Sequence, residues 1–257
     1  MKLPVLFLSH GAPTLALADN GFTRGWAGLA GALDRPQAIL VVSAHWDTAA
    51  PMVTGAPQLA TIHDFRGFPE ALYRLRYEPV GATALAARVI ALLGAAGQPV
   101  AVDPARGIDH GGWVPLRCMY PDADIPVAQL SVQSRLGARH HHDLGRRLAP
   151  LCEEGVLVLG SGGIVHNLHE LDWTGGAPKP LAWAAAFNDW MAERVAEGDA
   201  GALADYRSRA PQASRSHPTE EHLMPFFVAM GAGGFPARRI ALGFDMGSLG
   251  MDCYAFG

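Results

Sequence analysis

Hydrophobic residues follow two alternating patterns along this chain. Short unbroken apolar runs, bounded by Gly, Pro or polar residues, predict buried strands at residues 4–8, 38–43, 100–103, 126–132, 156–159, 239–244 and 251–256. Longer stretches between them predict helices at residues 22–33, 81–94, 135–150, 180–197 and 218–231. Strands alternating with helices imply an α/β fold. The expectation is a single catalytic domain over residues 1–257, with a central mostly parallel or mixed β-sheet flanked by helices on both faces. In the last helix Leu223, Phe226, Phe227 and Met230 fall at i, i+3, i+4 and i+7, a core-facing stripe. Pro218 suits its first position, and Pro225 is expected to bend it. Residues 49–80 show no clear period, and a segment of that length acts as a functional cover or carries short elements of its own.

Composition narrows the class. Apolar residues make up 49% of the 257, enough for a sizeable core. A formal charge of -4, with Lys and Arg scattered, leaves no footprint for nucleic acid. Cys118, Cys152 and Cys253 are dispersed, which argues against a disulfide framework and fits a reducing compartment. No run approaches a membrane span, and the apolar stretch after Lys2 is too short for a signal-peptide core. A soluble, cytoplasmic protein without membrane or nucleic-acid partners is expected. Trp190, Tyr254 and Phe256, read as exposed aromatics, leave a homo-oligomeric interface open.

The 11 histidines are the anomaly in this composition. Most stand singly beside Gly, Pro or Asp, whereas His140, His141 and His142 read as the solvated start of a helix. Two of them, His10 and His45, each end an apolar run that reads as a strand. A residue at the carboxyl lip of such a strand faces the crevice where open α/β sheets bind ligands, so two imidazoles there are the start of a metal site. His166 follows the glycine-rich turn Gly160-Ser161-Gly162-Gly163. That turn lacks the spacing of a phosphate-binding loop and more plausibly lets backbone approach a crevice closely. His222 lies at the edge of the apolar stripe and can look inward. His110 sits between Asp109 and two glycines, a setting for a general acid or base. His63-Asp64-Phe65-Arg66-Gly67-Phe68 suggests an aromatic lid. Each motif has a plainer alternative: a turn-stabilising or core histidine, or a loop pinned by its Phe side chains.

Taken in order, His10-Gly11-Ala12-Pro13, Ser43-Ala44-His45-Trp46, His63-Asp64-Phe65-x-Gly-Phe-Pro, Asp109-His110-Gly111-x-Trp-Val-Pro-Leu, Gly160-Ser161-Gly162 with His166-Asn167-Leu168, and His217-Pro218-Thr219 with His222 resemble a known family. It is the DOPA-dioxygenase type of class III extradiol ring-cleaving dioxygenases, in the LigB-like superfamily, and the resemblance covers nearly the whole chain. It implies O2-dependent cleavage of a small, DOPA-like catechol to a muconic semialdehyde. It also implies His10, His45 and His222 as metal ligands, His166 as a further ligand or acid–base group, and His110 as a second catalytic histidine. His63, Phe65, Phe68 and His217 are expected on the substrate. Many class III enzymes carry a carboxylate as third ligand where this chain has His222, so Glu220 and Glu221 stand in reserve. Fe(2+) is the metal expected for activity, in a site that also suits Zn(2+). The rival readings are a zinc-dependent hydrolase on the same fold, which would consume no O2, and a metal-binding protein without activity.

Overall fold

The computed structural model describes residues 2–173 and 179–257. The buried apolar runs form strands β1 (Val5–Ser9), β2 (Ala38–Asp47), β3 (Met52–Thr54), β4 (Ala101–Asp103), β5 (Val127–Val132), β6 (Val156–Gly162), β7 (Ala237–Ile240), β8 (Phe244–Asp245), β9 (Leu249–Gly250) and β10 (Cys253–Phe256). Eight of them build one mixed sheet in the order β4-β3-β5-β2-β6-β1-β10-β7. The four central strands, β5, β2, β6 and β1, run parallel. Antiparallel pairings join β3 to β5 on one side and β10 to β1 on the other. β1 and β6 are buried along their whole length, as expected for strands covered on both faces. Val5 and Phe7 enter one core, and Leu6 and Leu8 enter the other.

The longer helices are α1 (Gly21–Gly31), α2 (Thr83–Ala95), α3 (His110–Met119), α4 (Gly137–Leu148), α5 (Ala182–Glu197) and α6 (Met224–Gly233). Apolar residues of α2, α4, α5 and α6 pack into one core, and those of α1 and α3 into the other. α6 is buried from Met224 to Ala232, because it lies against β1 and β6 on one side and α4 on the other. A helix enclosed in this way is apolar all round. Glycines make the enclosure possible. A Cβ on Gly145 of α4 would overlap the Val228 carbonyl oxygen, and one on Gly231 of α6 would overlap that of His142.

Several elements differ from the sequence reading. β2 runs four residues further than expected, to Asp47. The aperiodic segment contains a short strand, β3. α3 was not expected at all, since Gly111, Gly112 and Pro115 are poor helix formers. It forms because Asp109 caps its N-terminus, accepting from the Gly112 N–H. The last helix starts at Met224 instead of Pro218, so Pro225 stands in its first turn and opens it rather than bending it. His141 is fully buried, not solvated: its Nδ1 contacts the Gly137 carbonyl and its Nε2 accepts from the Gln133 N–H. Tyr254 and Phe256 are likewise buried, as residues of β10, and Trp190 packs partly against the core. Tyr254 and Phe256 therefore offer no exposed aromatic surface, whereas Trp190 stays partly exposed. No described helix is long and apolar enough to cross a membrane.

The glycine contacts predict opposite effects of the same substitution. Gly145→Ala should destabilise the protein by about 1–3 kcal/mol through overpacking. Gly28→Ala, with open space around its Cβ in the exposed part of α1, should stabilise by about 0.5–1 kcal/mol. Denaturant midpoints of the two variants should move in opposite directions.

Candidate metal centre

The carboxyl ends of β1, β2 and β6 lie side by side, and each leads to a histidine. His10 is the first residue past β1, and its backbone N–H is held by the Gly162 carbonyl at 2.9 Å. His45 lies within β2, where the register against β5 shifts between Val42 and Asp47. Such irregularities are common beside active sites. His166 follows the turn after β6, and its N–H bonds the Ser216 carbonyl. His222 arrives from the other direction, in the single turn Glu221–Leu223 that precedes α6. It can lie this close to β6 because a Cβ on Gly162 would overlap the His222 carbonyl oxygen. The glycines after β6 thus admit another part of the same chain.

Nitrogen atoms of His10, His45 and His222 lie within 4.8 Å of one another. The His10 and His45 Nε2 atoms are 3.0 Å apart. Their protonation follows from what holds the opposite ring nitrogen. His10 Nδ1 meets the Ser161 hydroxyl at 2.9 Å. That hydroxyl gives its own proton to the Gly111 carbonyl, so it can only accept from His10. Gly111 has a carbonyl to spare because Pro115, four residues on in α3, has no N–H to donate to it. His45 Nδ1 faces Asp64 Oδ2 at 3.5 Å. His222 Nδ1 lies 3.0 Å from Glu221 Oε1, and its Nε2 is buried without a partner.

The partners of His10 and His222 place the ring proton on Nδ1, and the Asp64 carboxylate favours the same tautomer in His45, which leaves each Nε2 bare. Two bare nitrogens at 3.0 Å repel unless a cation lies between them. Burial, followed by the neighbouring imidazoles, holds His10 and His222 well below their usual value and lowers His45 to about 3. The three rings are neutral near pH 7. Neutral imidazoles with outer carboxylate or hydroxyl partners are the donor set of Zn(II) or Fe(II), so these residues fit a metal. Glu221, one of the reserve carboxylates, contacts His222 Nδ1, and with His166 and His222 it forms a second group of atoms close enough to hold a metal.

Next to this cluster, His110 Nδ1 lies 2.8 Å from Asp64 Oδ1, which also accepts the His110 backbone N–H at 3.1 Å. Burial alone would raise the Asp64 carboxyl, but its bonds to His110 and its electrostatic contact with the two rings bring it down to about 2. Asp64 was not among the expected site residues. It belongs to an irregular segment, and nothing local shows that it reaches residue 110. The acid adjacent in sequence, Asp109, instead lies beneath the helix, taking bonds from Ser43, Arg106 and Gln129. His166 stacks on His222 with ring centroids 3.4 Å apart, and burial lowers it to about 3.

A cavity of about 300 Å³ opens over these groups. His10, His45, His110, His166 and His222 form its floor, and Phe65, Phe68, Leu168, Leu171, Trp173 and Leu249 supply apolar wall. Phe65 meets His110 edge-on at 5.6 Å and Phe68 at 5.4 Å. His63 does not reach the lining: it packs behind Phe65 and contacts the Leu75 carbonyl through Nε2. Nor does His217, which is fully buried, bonds the Ile164 carbonyl at 2.8 Å and packs against Phe187. Both expected substrate residues sit a layer back because backbone carbonyls capture their rings.

Residues 4–246 match the family described as the catalytic LigB subunit of aromatic ring-opening dioxygenase, and the chain belongs to that family. It is 44% identical over 256 residues to the 4,5-DOPA dioxygenase extradiol of Escherichia coli (strain K12), covering 97% of this chain and 93% of that protein. The enzyme of the same description from Beta vulgaris is 42% identical over 257 residues, covering 97% and 95%. The crystal structure of an uncharacterized protein from Escherichia coli K12 matches with a TM-score of 0.82 and 38% identity over 100% of both chains. The protein is a metal-dependent dioxygenase of the extradiol ring-cleaving class.

The buried neutral rings make the metal-free protein sensitive to acid. In the unfolded chain His10, His45, His166, His217 and His222 take up protons near 6.5, whereas burial lowers all five in the folded protein. Their stabilising contribution is therefore complete above about pH 6.5 and is lost as pH falls toward the folded values. Melting temperatures of chelator-treated protein should be level at about pH 8 and decline steadily below about pH 6.5. A flat profile down to about pH 5 would contradict the buried neutral state.

Proposed function

We propose that His10, His45 and His222 hold Fe(II), and that the cavity receives a small catechol of the DOPA type together with O2. The observation that carries this reading is the set of three histidine nitrogens within 4.8 Å of one another at the floor of an aromatic-walled cavity. The relatives described as DOPA dioxygenases support the substrate class. When bound, Fe(II) would supply the electron transfer between catecholate and O2 that redox-inert Zn(II) cannot.

The protein's own groups do the rest. His110 and His166 are the two cavity imidazoles outside the three-nitrogen set. The Asp64 carboxylate fixes His110 through Nδ1, so Nε2 can take a hydroxyl proton from the catechol and return it later. His166, on the opposite flank against His222, serves as the second proton-transfer group. Phe65 and Phe68 hold the flat ring and keep water away from it. The carbon–carbon bond beside the hydroxyl pair breaks, and both oxygen atoms of O2 remain in the semialdehyde product.

Protein reconstituted anaerobically with Fe(II) should consume one O2 per catechol and form a yellow semialdehyde, while Zn(II)-loaded protein should not. Hydrolysis of esters or amides without O2 uptake would replace this reading with a zinc hydrolase. His110→Gln and His166→Gln should keep the metal yet lose ring cleavage by about 10²-fold or more. Equal metal loss in both would make them ligands. Asp64→Asn should cost about 10- to 100-fold through the orientation of His110 and His45, and an unchanged rate would remove Asp64 from the site.

A further inference from the structure

One charged group on the cavity has no task in the chemistry just described. Arg66 lines the cavity, between Phe65 and Phe68 in the chain. Gly67 follows it in the left-handed region, at φ 78°, and this turn places both Phe side chains on the lining with Arg66 between them. Among the described residues Arg66 is the only Lys or Arg on that lining. Asp64, the only acid there, is engaged with His110 and His45. Arg66 has neither hydrogen bond nor ion pair with any described residue. It contrasts with Arg106, also near the site, whose guanidinium bonds Asp109 and covers the Trp46 ring.

A catechol that meets the metal through its two hydroxyls points its far substituent away from the histidine floor. Phe65, whose ring meets His110 edge-on, would wall the catechol ring, and Arg66 shares that lining outside the histidine floor. A guanidinium there matches a carboxylate, which it can grip through two parallel N–H bonds. The apolar wall of Phe68, Leu168, Leu171 and Trp173 would accept the short carbon tail between ring and charge. We infer that Arg66 is the specificity residue of this site and selects catechols whose side chain ends in a carboxylate over neutral or cationic ones. The inference rests on the catechol reading above.

The test is equilibrium binding, with ring cleavage silenced. Zn(II)-loaded protein is titrated by calorimetry with dihydrocaffeate, whose ring carries a propionate tail, with propylcatechol, of equal length and no charge, and with dopamine, whose tail is cationic. Dihydrocaffeate should bind about ten- to a hundred-fold more tightly than propylcatechol, the range for a hydrogen bond to a charged group, and dopamine more weakly than either. Arg66→Gln should bring the three constants together, and Arg66→Lys should restore part of the preference. A preference that survives in Arg66→Gln, or its absence in the unsubstituted protein, overturns the Arg66 assignment alone. Binding of none of the three overturns it together with the catechol reading.

Discussion

Three imidazoles can share one cation only if each turns an unprotonated nitrogen toward it. In this protein that condition is met by three different partners on the far side of each ring: the Ser161 hydroxyl, the Asp64 carboxylate and the Glu221 carboxylate. None of these would be needed for packing. A neutral imidazole is a weak enough donor and acceptor that either tautomer could prevail in water, and burial removes the water that would mix them. The surrounding structure can be understood as the means of holding those three oxygens still. Ser161 is fixed by lying inside a wholly buried strand, Glu221 by the tight turn ahead of α6, and Asp64 by its double contact with the ring and backbone of residue 110.

The sheet explains how residues so distant in sequence meet. β1, β2 and β6 are parallel neighbours, so their carboxyl ends share one edge, and loops leaving that edge can each carry a histidine. The fourth contributor, His222, comes from the single turn ahead of α6 instead of a strand end. α6 can bring His222 to the edge only by lying directly on β6, where Gly160 leaves room for the Pro225 carbonyl and Gly162 for that of His222. Small residues in a buried strand normally cost stability, and here they set the distance between a helix and a sheet, and hence the position of the His222 ring.

The parallel core was legible in the sequence because the strands buried on both faces are unbroken apolar runs, and their ends are marked by Gly, Pro or His. The five histidines that the structure gathers at one cavity were legible on separate grounds: His10 and His45 end apolar runs, His110 adjoins two glycines, His166 follows a glycine-rich turn, and His222 borders the apolar stripe of the last helix. What stayed hidden was anything decided by contacts across the fold. α3 is stabilised by an N-cap and by burial between layers, which outweigh the poor propensity of its glycines and proline. Asp64 lies in a segment without periodicity, and its partners are contributed by β2 and α3. His63 and His217 looked like their neighbours in sequence, yet a carbonyl within reach of each ring holds them behind the cavity wall. Local pattern reports which residues are able to do chemistry; the backbone groups around them decide which are left free to do it.

Pro115 shows how far such a decision can travel. A proline inside a helix is ordinarily counted as a defect, since one carbonyl loses its donor. Here the orphaned carbonyl is that of Gly111, and it is the acceptor that keeps the Ser161 hydroxyl turned away from His10 as a donor. The defect thereby acts as a relay, passing a polarity from a helix through a hydroxyl to the His10 ring. Evolution, or an engineer, seeking a more regular α3 by replacing this proline would supply an amide hydrogen that competes for the same oxygen. Improving the helix and preserving the metal site would then be opposed aims, and a search guided by thermal stability alone would be drawn toward the wrong residue.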